Sequence, residues 1–371
     1  RRYCLNAGVF NFNTFEIMAA ERISIERFLE LAKLHPVLDV RSPGEYTHAH
    51  LPGAHSLPLF TDEERKVVGT AYKQQSREQA IKIGLDYFGM KMRSMVETAE
   101  QIIASQQKDP SDKTILVYCW RGGMRSAGVA WLLDLYGFKV YTLAGGYKKF
   151  RNKVLETFTL PYQFNILGGY TGSGKTELLK LMKQKGEQVV DLEGIAVHKG
   201  SAFGAIGLPP QPGQEMFENL LALDLMRNDA DKPVWLEDES QRIGLVNIPN
   251  ALWANMRRSP VYFADIPFEE RLNHITQEYG VLEQQKLIDA TARIREKLGG
   301  MNAKTVTMYL LMGNIKDAFR ILLEYYDRFY TKALHNREAL HTLLYTVTCK
   351  SITAENADEI IRVAQNRSEK V

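Results

Sequence analysis

Residues 114–126 have the sequence Thr114-Ile115-Leu116-Val117-Tyr118-Cys119-Trp120-Arg121-Gly122-Gly123-Met124-Arg125-Ser126. An apolar, β-prone run leads into Cys119 and a helical run follows, so the pattern predicts a strand, a glycine-containing loop and a helix. Backbone N–H groups and the positive end of the helix dipole converge on such a loop. Arg121, Gly122, Gly123 and Arg125 then complete a cradle for an anion. These surroundings stabilise a thiolate, so the stretch predicts a cysteine nucleophile that acts on an anionic, group-donating substrate.

The composition excludes several classes of protein. The chain has 371 residues, which predicts two or three domains, and a net charge of +3, which is compatible with a nucleic-acid partner without indicating one. Its three cysteines are odd in number and far apart, which argues against a disulfide framework and against a cysteine-ligated zinc site. No apolar run approaches the ~18 residues of a membrane span. We therefore expect a cytoplasmic protein without membrane contact.

Strands and helices alternate along the first part of the chain. Strands are predicted over 36–41, 114–118 and 138–143, and the helical patterns between them include 61–88 and 90–107. This alternation predicts an α/β domain with a parallel sheet that is covered by helices on both faces. In such sheets the chemistry lies at the carboxyl ends of the strands, which is where the Cys119 loop is expected.

A second strand–loop–helix pattern begins at Phe164. The loop contains the complete phosphate-binding pattern G-x-x-x-x-G-K-[ST] between a predicted strand and a predicted helix. Successive backbone N–H groups of such a loop wrap a diphosphate, its lysine reaches the outer oxygens, and its hydroxyl side chain can hold Mg²⁺. The predicted diphosphate-binding residues are Gly169, Thr171, Gly172, Ser173, Gly174, Lys175 and Thr176. Because no adenine- or guanine-specific motif accompanies them, nucleotide and non-nucleotide diphosphates are both candidates.

An acidic run follows another apolar strand, 233–236. A strand end beside a phosphate loop is where a metal-orienting carboxylate is expected. Glu237, Asp238 and Glu239 compete for this role, and we favour Asp238, with a solvated acidic turn as an equal alternative. Mg²⁺ is therefore a candidate, and no metal ligand is certain. The histidines of segment 48–55 are predicted to be structural or exposed, because their spacing in a Gly/Pro loop does not suit a metal site.

Helical periodicity dominates the rest of the chain, over 266–279 and most of 284–365. The predicted organisation has five parts. They are a leader outside the fold (1–17), a parallel-sheet domain (18–155), a linker (156–162), a P-loop α/β domain (163–266) and a helical C-terminal region (267–371).

Four separated segments of the first domain resemble a rhodanese domain: 39–46, 50–58, the Cys119 loop and 143–147. The resemblance implies transfer of sulfur or its heavier analogue through a cysteine persulfide-type intermediate. Common rhodaneses place an arginine five positions after the cysteine, whereas here Met124 occupies that position and Arg125 the next. The loop is one residue longer, as in rhodanese-fold phosphatases and arsenate reductases. A wider cradle suits a tetrahedral oxyanion.

The combination of both domains resembles the bacterial tRNA 2-selenouridine synthase family, through segments 62–74, 118–126, 168–176, 198–204, 211–219 and 237–240. The resemblance implies a transferase that converts wobble 2-thiouridine of tRNA into 2-selenouridine through an S-geranyl intermediate. Geranyl diphosphate and selenophosphate would be substrates, with no tightly bound cofactor. Cys119 would deliver selenium, Arg125 would neutralise the selenophosphate anion, and Lys175 would stabilise the departing diphosphate. The anticodon region of tRNA is the implied partner, and the enzyme that makes selenophosphate is a further candidate.

Two positions depart from the family pattern, and other functions compete with it. Lys199 and Gln241 stand where the family is expected to have arginine. A rhodanese-fold sulfurtransferase, phosphatase or arsenate reductase fused to an NTPase is the main alternative, and the longer cysteine loop favours it. A buried structural cysteine is the simplest alternative for Cys119, since free cysteines are usually buried.

Overall fold

The structure is a computed structural model that describes residues 20–106, 109 and 111–368. The predicted leader, 1–17, lies outside the described residues. The chain divides into two units between Asn152 and Lys153, and a parallel sheet forms the centre of each. Within the described residues, no helix combines the length and the apolar character that crossing a bilayer would require.

A five-stranded sheet organises the first unit, with all neighbouring strands parallel in the order β1-β5-β4-β2-β3. This arrangement confirms the predicted parallel α/β fold. The elements are β1 (Glu21–Ile23), α1 (Ile25–Leu31), β2 (Val37–Asp39), α2 (Pro43–His48), β3 (His55–Ser56), α3 (Asp62–Gln74), α4 (Arg77–Gln106), β4 (Thr114–Tyr118), α5 (Met124–Tyr136), β5 (Lys139–Leu143) and α6 (Gly146–Thr157).

The core of the first unit explains why β4 is so apolar. Every residue of β4 is buried, because helices cover both faces of the central strands. One helical prediction is wrong in detail. A helix boundary is predicted between residues 88 and 90, but α4 continues through it, and the two helices of this region are instead separated at Gln75–Ser76. The glycine within α4 at position 84 permits close contact, since an added Cβ would lie 3.3 Å from the Phe60 ring.

The second unit also has a five-stranded parallel sheet, in the order β12-β11-β6-β8-β7, and a separate two-stranded hairpin. Its strands are β6 (Phe164–Gly168), β7 (Gln188–Val189), β8 (Val234–Glu237), β9 (Arg242–Ile243), β10 (Val246–Asn247), β11 (Val261–Asp265) and β12 (Leu344–Thr348). Its helices are α7 (Lys175–Gln184), α8 (Leu192–Ala196), α9 (Gln214–Met226), α10 (Asn250–Arg258), α11 (Phe268–Tyr279), α12 (Gln284–Arg293), α13 (Arg295–Leu298), α14 (Gly300–Leu311), α15 (Ile315–His335), α16 (Leu340–Leu343) and α17 (Ala354–Ser368).

The helical prediction for 284–365 is wrong at Leu344–Thr348. This segment is β12, which pairs in parallel with β11 along its whole length. Its aromatic and β-branched residues favour a strand, but five residues after a helix give too short a pattern to separate from the helices around them. The sheet of the second unit therefore includes a strand from the region predicted to be helical.

Helices α11 to α15 form a second core within this unit. Buried apolar side chains from these helices pack together, among them Leu272, Leu287, Val306, Leu310 and Leu322. This helical group lies in sequence between β11 and β12, so two neighbouring strands of the sheet hold both of its ends.

Candidate active sites

Cys119 lies directly after β4 and before the helix that begins at Met124. Its side chain is buried, and Sγ lies 3.2 Å from Oγ of Ser126. The Ser126 hydroxyl donates to the carbonyl oxygen of Gly123 at 3.1 Å, so the thiol can donate in turn to Ser126. A thiolate would instead accept a hydrogen bond from the same hydroxyl after it rotates. The helix N-terminus and this hydroxyl provide the surroundings that a nucleophilic sulfur needs.

A neighbouring loop, 143–146, fixes the backbone around the cysteine. Gly122 and Gly146 both have positive φ, and a Cβ on Gly146 would lie 2.3 Å from the carbonyl oxygen of Cys119. The first turn of α6 donates to the cysteine loop, from the Tyr147 amide to Cys119 at 2.8 Å and from the Lys148 amide to the Trp120 carbonyl at 3.0 Å. Only glycine allows the two loops to approach so closely.

Arg125 is held by a carboxylate that the sequence did not identify as a site residue. Its guanidinium donates to Glu45 at 2.9 Å, and Arg65 donates to the same carboxylate oxygen at 2.8 Å. Burial alone would raise the pKa of Glu45, but the Arg125 hydrogen bond and the two positive charges lower it below its ordinary value. Glu45 thus positions one arginine at the mouth of the loop, while Arg121 is exposed.

A buried ion pair supports the strand that leads to the cysteine. Arg41 and Asp39 are both fully buried, with Nη2 and Oδ2 2.6 Å apart. The Tyr118 hydroxyl donates to Asp39 at 2.7 Å, and the Arg41 guanidinium lies 3.9 Å from the centre of the Tyr147 ring. Because Tyr118 is the last residue of β4 and directly precedes Cys119, this network fixes the position of the strand end that leads to the cysteine.

The phosphate loop lies at the carboxyl end of β6, the central strand of its sheet. Gly172 and Gly174 have positive φ, and Gly174 is the N-cap of α7, which begins at Lys175. The Lys175 ammonium donates to the Gly169 carbonyl at 3.1 Å and thus folds back over the loop. Oγ of Ser173 is buried and has no hydrogen-bond partner among the described residues. The remaining residues of the predicted motif lie in this loop and in the first turn of α7: Thr171, Gly172, Ser173 and Thr176.

Of the acidic run, it is Glu239 that lies beside Lys175. Glu239 and Glu193 share a hydrogen bond near the Lys175 charge, and the Thr176 hydroxyl donates to Glu193 at 3.3 Å. Burial and the Glu193 charge raise the pKa of Glu239 well above its ordinary value, although Lys175 acts in the opposite direction. Two carboxylates that share one proton therefore stand beside the phosphate loop.

The other two residues of the run have different surroundings. Glu237 is fully buried; one oxygen accepts from the Leu192 amide at 3.0 Å, and burial followed by the charge of Asp191 raises its pKa well above the ordinary value. Asp238, the favoured metal-orienting residue, binds Arg337 through one oxygen and accepts from the Tyr330 hydroxyl at 2.8 Å through the other. Both Asp238 oxygens thus have protein partners. In the described parts of the chain, no three His, Cys, Asp or Glu side chains form a metal-ligand group.

The raised pKa of Glu239 predicts how stability changes with pH. As the pH rises above the ordinary glutamate value, the folded state must lose a proton that it binds more tightly than the unfolded state does, so the free energy of unfolding falls. Glu239→Gln has no such proton. We expect its stability, measured by urea unfolding, to exceed that of the wild type increasingly as the pH rises from 5 to about 9. Equal pH profiles for the variant and the wild type would contradict the shared proton.

Arg271 of α11 joins the helical group to the phosphate loop. Its side chain is buried and donates to the carbonyls of Ile266 at 3.1 Å and Thr171 at 3.0 Å. Two parallel hydrogen bonds, 2.9 and 2.8 Å long, connect it to Asp327 of α15. The guanidinium also lies 4.9 Å from the centre of the Tyr170 ring. The Arg271 side chain therefore fixes the backbone of the phosphate loop at Thr171.

Removing the carboxylate of this pair tests its contribution. Asp327→Asn leaves a buried guanidinium without its counter-charge, so we expect the free energy of unfolding to fall by about 2–3 kcal/mol, discounted for the partial exposure of Asp327. Denaturant unfolding measures this loss. Glu324→Gln, at an exposed position of the same helix, is the control. An equal effect of both changes would argue against a stabilising role of the Arg271–Asp327 pair.

A second connection to α15 runs through Tyr330. The amide of Gly169 donates to the Tyr330 hydroxyl at 3.2 Å, and this hydroxyl donates to Asp238. Burial and the Asp238 charge raise the pKa of Tyr330 well above its ordinary value, so the hydroxyl keeps its proton. The loop, the end of β8 and α15 are thus linked by one neutral phenol.

The two positions that depart from the family pattern both have protein partners. Lys199 forms an ion pair with Glu278, and its ammonium lies 5.6 Å from the centre of the Tyr279 ring. The Gln241 amide donates to Asn250 at 2.6 Å. Neither side chain is bonded to the phosphate loop in the contacts that the structure describes.

Sequence reasoning missed the residues that hold the two loops in place. These are Glu45, Glu193, Arg271, Tyr330 and Arg337. Only Glu45 had a local signal, because Ser42 and Glu45 form a capping box at the start of α2. The others reach their loops across the fold, from segments that show no motif of their own.

Two family models match the chain. The model described as the tRNA 2-selenouridine synthase AAA domain matches residues 162–355, and the rhodanese-like domain model matches residues 24–153. A tRNA 2-selenouridine synthase of Nitrosomonas europaea is 35% identical over 291 residues, which cover 76% of this chain and 73% of that protein. The protein of the same name from Hydrogenovibrio crunogenus is 34% identical over 336 residues, which cover 82% and 90%. The family matches therefore include both loops described above.

Proposed function

We propose a specific reaction for this chain, which belongs to the tRNA 2-selenouridine synthase family of tRNA-modifying enzymes. In this proposal it converts wobble 2-thiouridine into 2-selenouridine through an S-geranyl intermediate. The observation that supports this proposal is that one chain contains two strand–loop–helix segments of the kind that can bind an anion. One surrounds a thiol and the other is a phosphate loop. Two successive group transfers from anionic donors need two such sites. The proposal places the protein in the cytoplasm, where tRNA is modified.

The phosphate loop is assigned to the first transfer. The thiocarbonyl sulfur of the base attacks C1 of geranyl diphosphate, the C1–O bond breaks, diphosphate leaves and N3 of the base loses its proton. Lys175 and the loop amides stabilise the negative charge that builds up on the leaving diphosphate. The Glu239–Glu193 pair keeps one proton, which limits the negative charge beside that diphosphate.

The cysteine loop is assigned to the second transfer. Selenium from selenophosphate forms a bond to C2 of the base while the C2–S bond breaks, geranylthiol leaves, and water takes up the phosphoryl group as phosphate. The phosphoryl oxygens suit the N–H groups at the start of α5 and the guanidinium of Arg125. The Cys119 thiolate would attack phosphorus of selenophosphate, so that an S–P bond forms, the P–Se bond breaks and selenide is released beside C2; water then hydrolyses the S–P bond to give phosphate and restore the thiol.

The residues at the phosphate loop offer Mg²⁺ a small number of oxygen ligands. Mg²⁺ keeps several waters and takes only one or two protein oxygens besides those of a substrate phosphate. The Thr176 hydroxyl and the Glu193 carboxylate are oxygens of that kind. When bound there, the ion would supply positive charge to the diphosphate, and the oxygens of Asp238 would remain in their bonds to Tyr330 and Arg337.

Mass analysis of tRNA nucleosides tests the proposal. tRNA that contains 2-thiouridine is incubated with the purified protein and geranyl diphosphate, and selenophosphate is added afterwards. We expect S-geranyl-2-thiouridine after the first step, then 2-selenouridine with release of geranylthiol. Selenium incorporation without any geranyl donor, or nucleotide hydrolysis in place of geranyl transfer, would overturn it.

A further inference from the structure

A groove of about 440 Å³ lies in the helical group, away from the residues assigned to the phosphate loop. One wall is formed where α13 ends and α14 begins, and the other is a face of α15. The residues that give the groove its character are Lys297, Gly299 and Asn302 on the first wall and Arg328, Phe329 and Lys332 on the second. We call it the α13–α15 groove. Its volume is in the range that accommodates a nucleotide-sized ligand.

The positive charge of the groove is not neutralised. Three basic residues of the lining are exposed: Lys297, Arg328 and Lys332. Among the described residues, none of their side chains has an ion-pair or hydrogen-bond partner. The lining also contains one acidic residue, Glu296. Elsewhere on α15 the basic side chain of Arg320 is paired, with Glu269. Arg328 and Lys332 are four residues apart on one helix, where like charges repel each other. A bound anion would relieve this repulsion.

An aromatic ring lies among these cations. The Phe329 side chain is 48% exposed, and its ring centre lies 4.7 Å from that of Tyr325, which is buried and anchors it. Exposed aromatic rings beside unpaired basic side chains are the combination that single-stranded nucleic acids use, since the bases stack while the cations contact the phosphates. A protein partner would require a larger apolar surface than one ring supplies.

We propose that the α13–α15 groove binds an unpaired stretch of the RNA substrate, with phosphates at Lys297, Arg328 and Lys332 and a base stacked on Phe329. The proposal rests on the proposed function for the identity of that RNA, a tRNA. It assigns to the helical group a task that neither loop performs, which is to hold the RNA while its base reacts. Charge complementarity and the exposed ring select single-stranded RNA over a duplex, whose bases are not free to stack on a side chain.

Removing the three cations tests the charge contribution. For Lys297→Ala/Arg328→Ala/Lys332→Ala, we expect tRNA binding to weaken about tenfold near physiological salt. The slope of log K against log salt should become shallower by about 2, because each lost contact with a single strand contributes about 0.7. The matched control is Lys180→Ala/Lys183→Ala/Lys304→Ala, which removes three exposed lysines of the same unit outside the groove. Thermal unfolding checks that both variants are folded.

Phe329 separates stacking from charge. Phe329→Leu keeps an apolar side chain but cannot stack, so we expect about five- to tenfold weaker binding of tRNA with an unchanged salt slope. Wild-type affinity of both groove variants would overturn the inference, and so would equal losses in the lysine control. Reduced tRNA modification at unchanged RNA affinity would also overturn it, by assigning the groove to another partner. If the wild type binds tRNA through the groove but makes no S-geranyl or seleno product, the proposed function fails and the groove inference stands.

Discussion

Cys119→Ser is expected to lower selenium incorporation by on the order of 10³-fold or more while S-geranylation continues at nearly the wild-type rate. Serine at this position keeps the size of the side chain and the hydrogen bond to Ser126 at the end of β4. It removes the thiolate, which is the reactive form of the residue. S-geranyl-2-thiouridine should therefore accumulate in the nucleoside digest when both donors are present.

Cys349→Ser is the matched control for this substitution. Cys349 is buried beside β12, and burial, followed by the charge of Asp265, raises the pKa of its thiol to about 11. It therefore remains an unreactive thiol at neutral pH, and replacing it should leave both transfer steps unchanged. If Cys119→Ser stopped geranylation and selenation equally, the assignment of the two steps to two loops would be wrong.

The second large effect concerns Lys175. We expect Lys175→Ala to reduce the rate of S-geranylation by about 10²–10³-fold, because in the proposed function its ammonium would neutralise the charge that develops on the leaving diphosphate. Substrate that has already been S-geranylated bypasses this step. With such tRNA, the variant should still exchange the geranylthio group for selenium at a rate close to that of the wild type.

Lys183→Ala is the control on the same helix. Lys183 is exposed near the end of α7 and has the same charge as Lys175, but it lies outside the phosphate loop. It should leave both steps unchanged. Loss of selenation on the S-geranylated tRNA by Lys175→Ala would show that the phosphate loop serves the second step as well.

The predicted parts of both sites are local in sequence. The strand, loop and helix around Lys175 are contiguous, so apolar runs and glycine spacing were enough to predict them. The same holds for the Cys119 loop. The parallel α/β fold of the first unit followed from the alternation of strands and helices, that of the second from a phosphate loop between a strand and a helix, and both are confirmed.

What the sequence could not predict depends on side chains brought together by the fold. Arg271 reaches the Thr171 carbonyl across a hundred residues of sequence. Asp238 illustrates the same limit. Its position at the end of a strand suggested a metal-orienting role, and no local feature showed that Arg337 and Tyr330 would bind both of its oxygens. Glu193, beside Thr176, lies in a five-residue helix without a phosphate-binding motif.

Strand β12 has a consequence for how the chain matures on the ribosome. The sheet of the first unit is complete once β5, which ends at Leu143, has emerged, whereas β11 waits for a neighbour that is made only at Leu344–Thr348. A Cβ added to Gly174, at the start of α7, would lie 2.6 Å from the side chain of Ile352, so the phosphate loop also packs close to a segment that is made after β12. Until then β11 presents an unpaired edge, which invites aggregation. The N-terminal unit can thus fold early, and late-stalled or truncated chains should be captured by chaperones through the second unit.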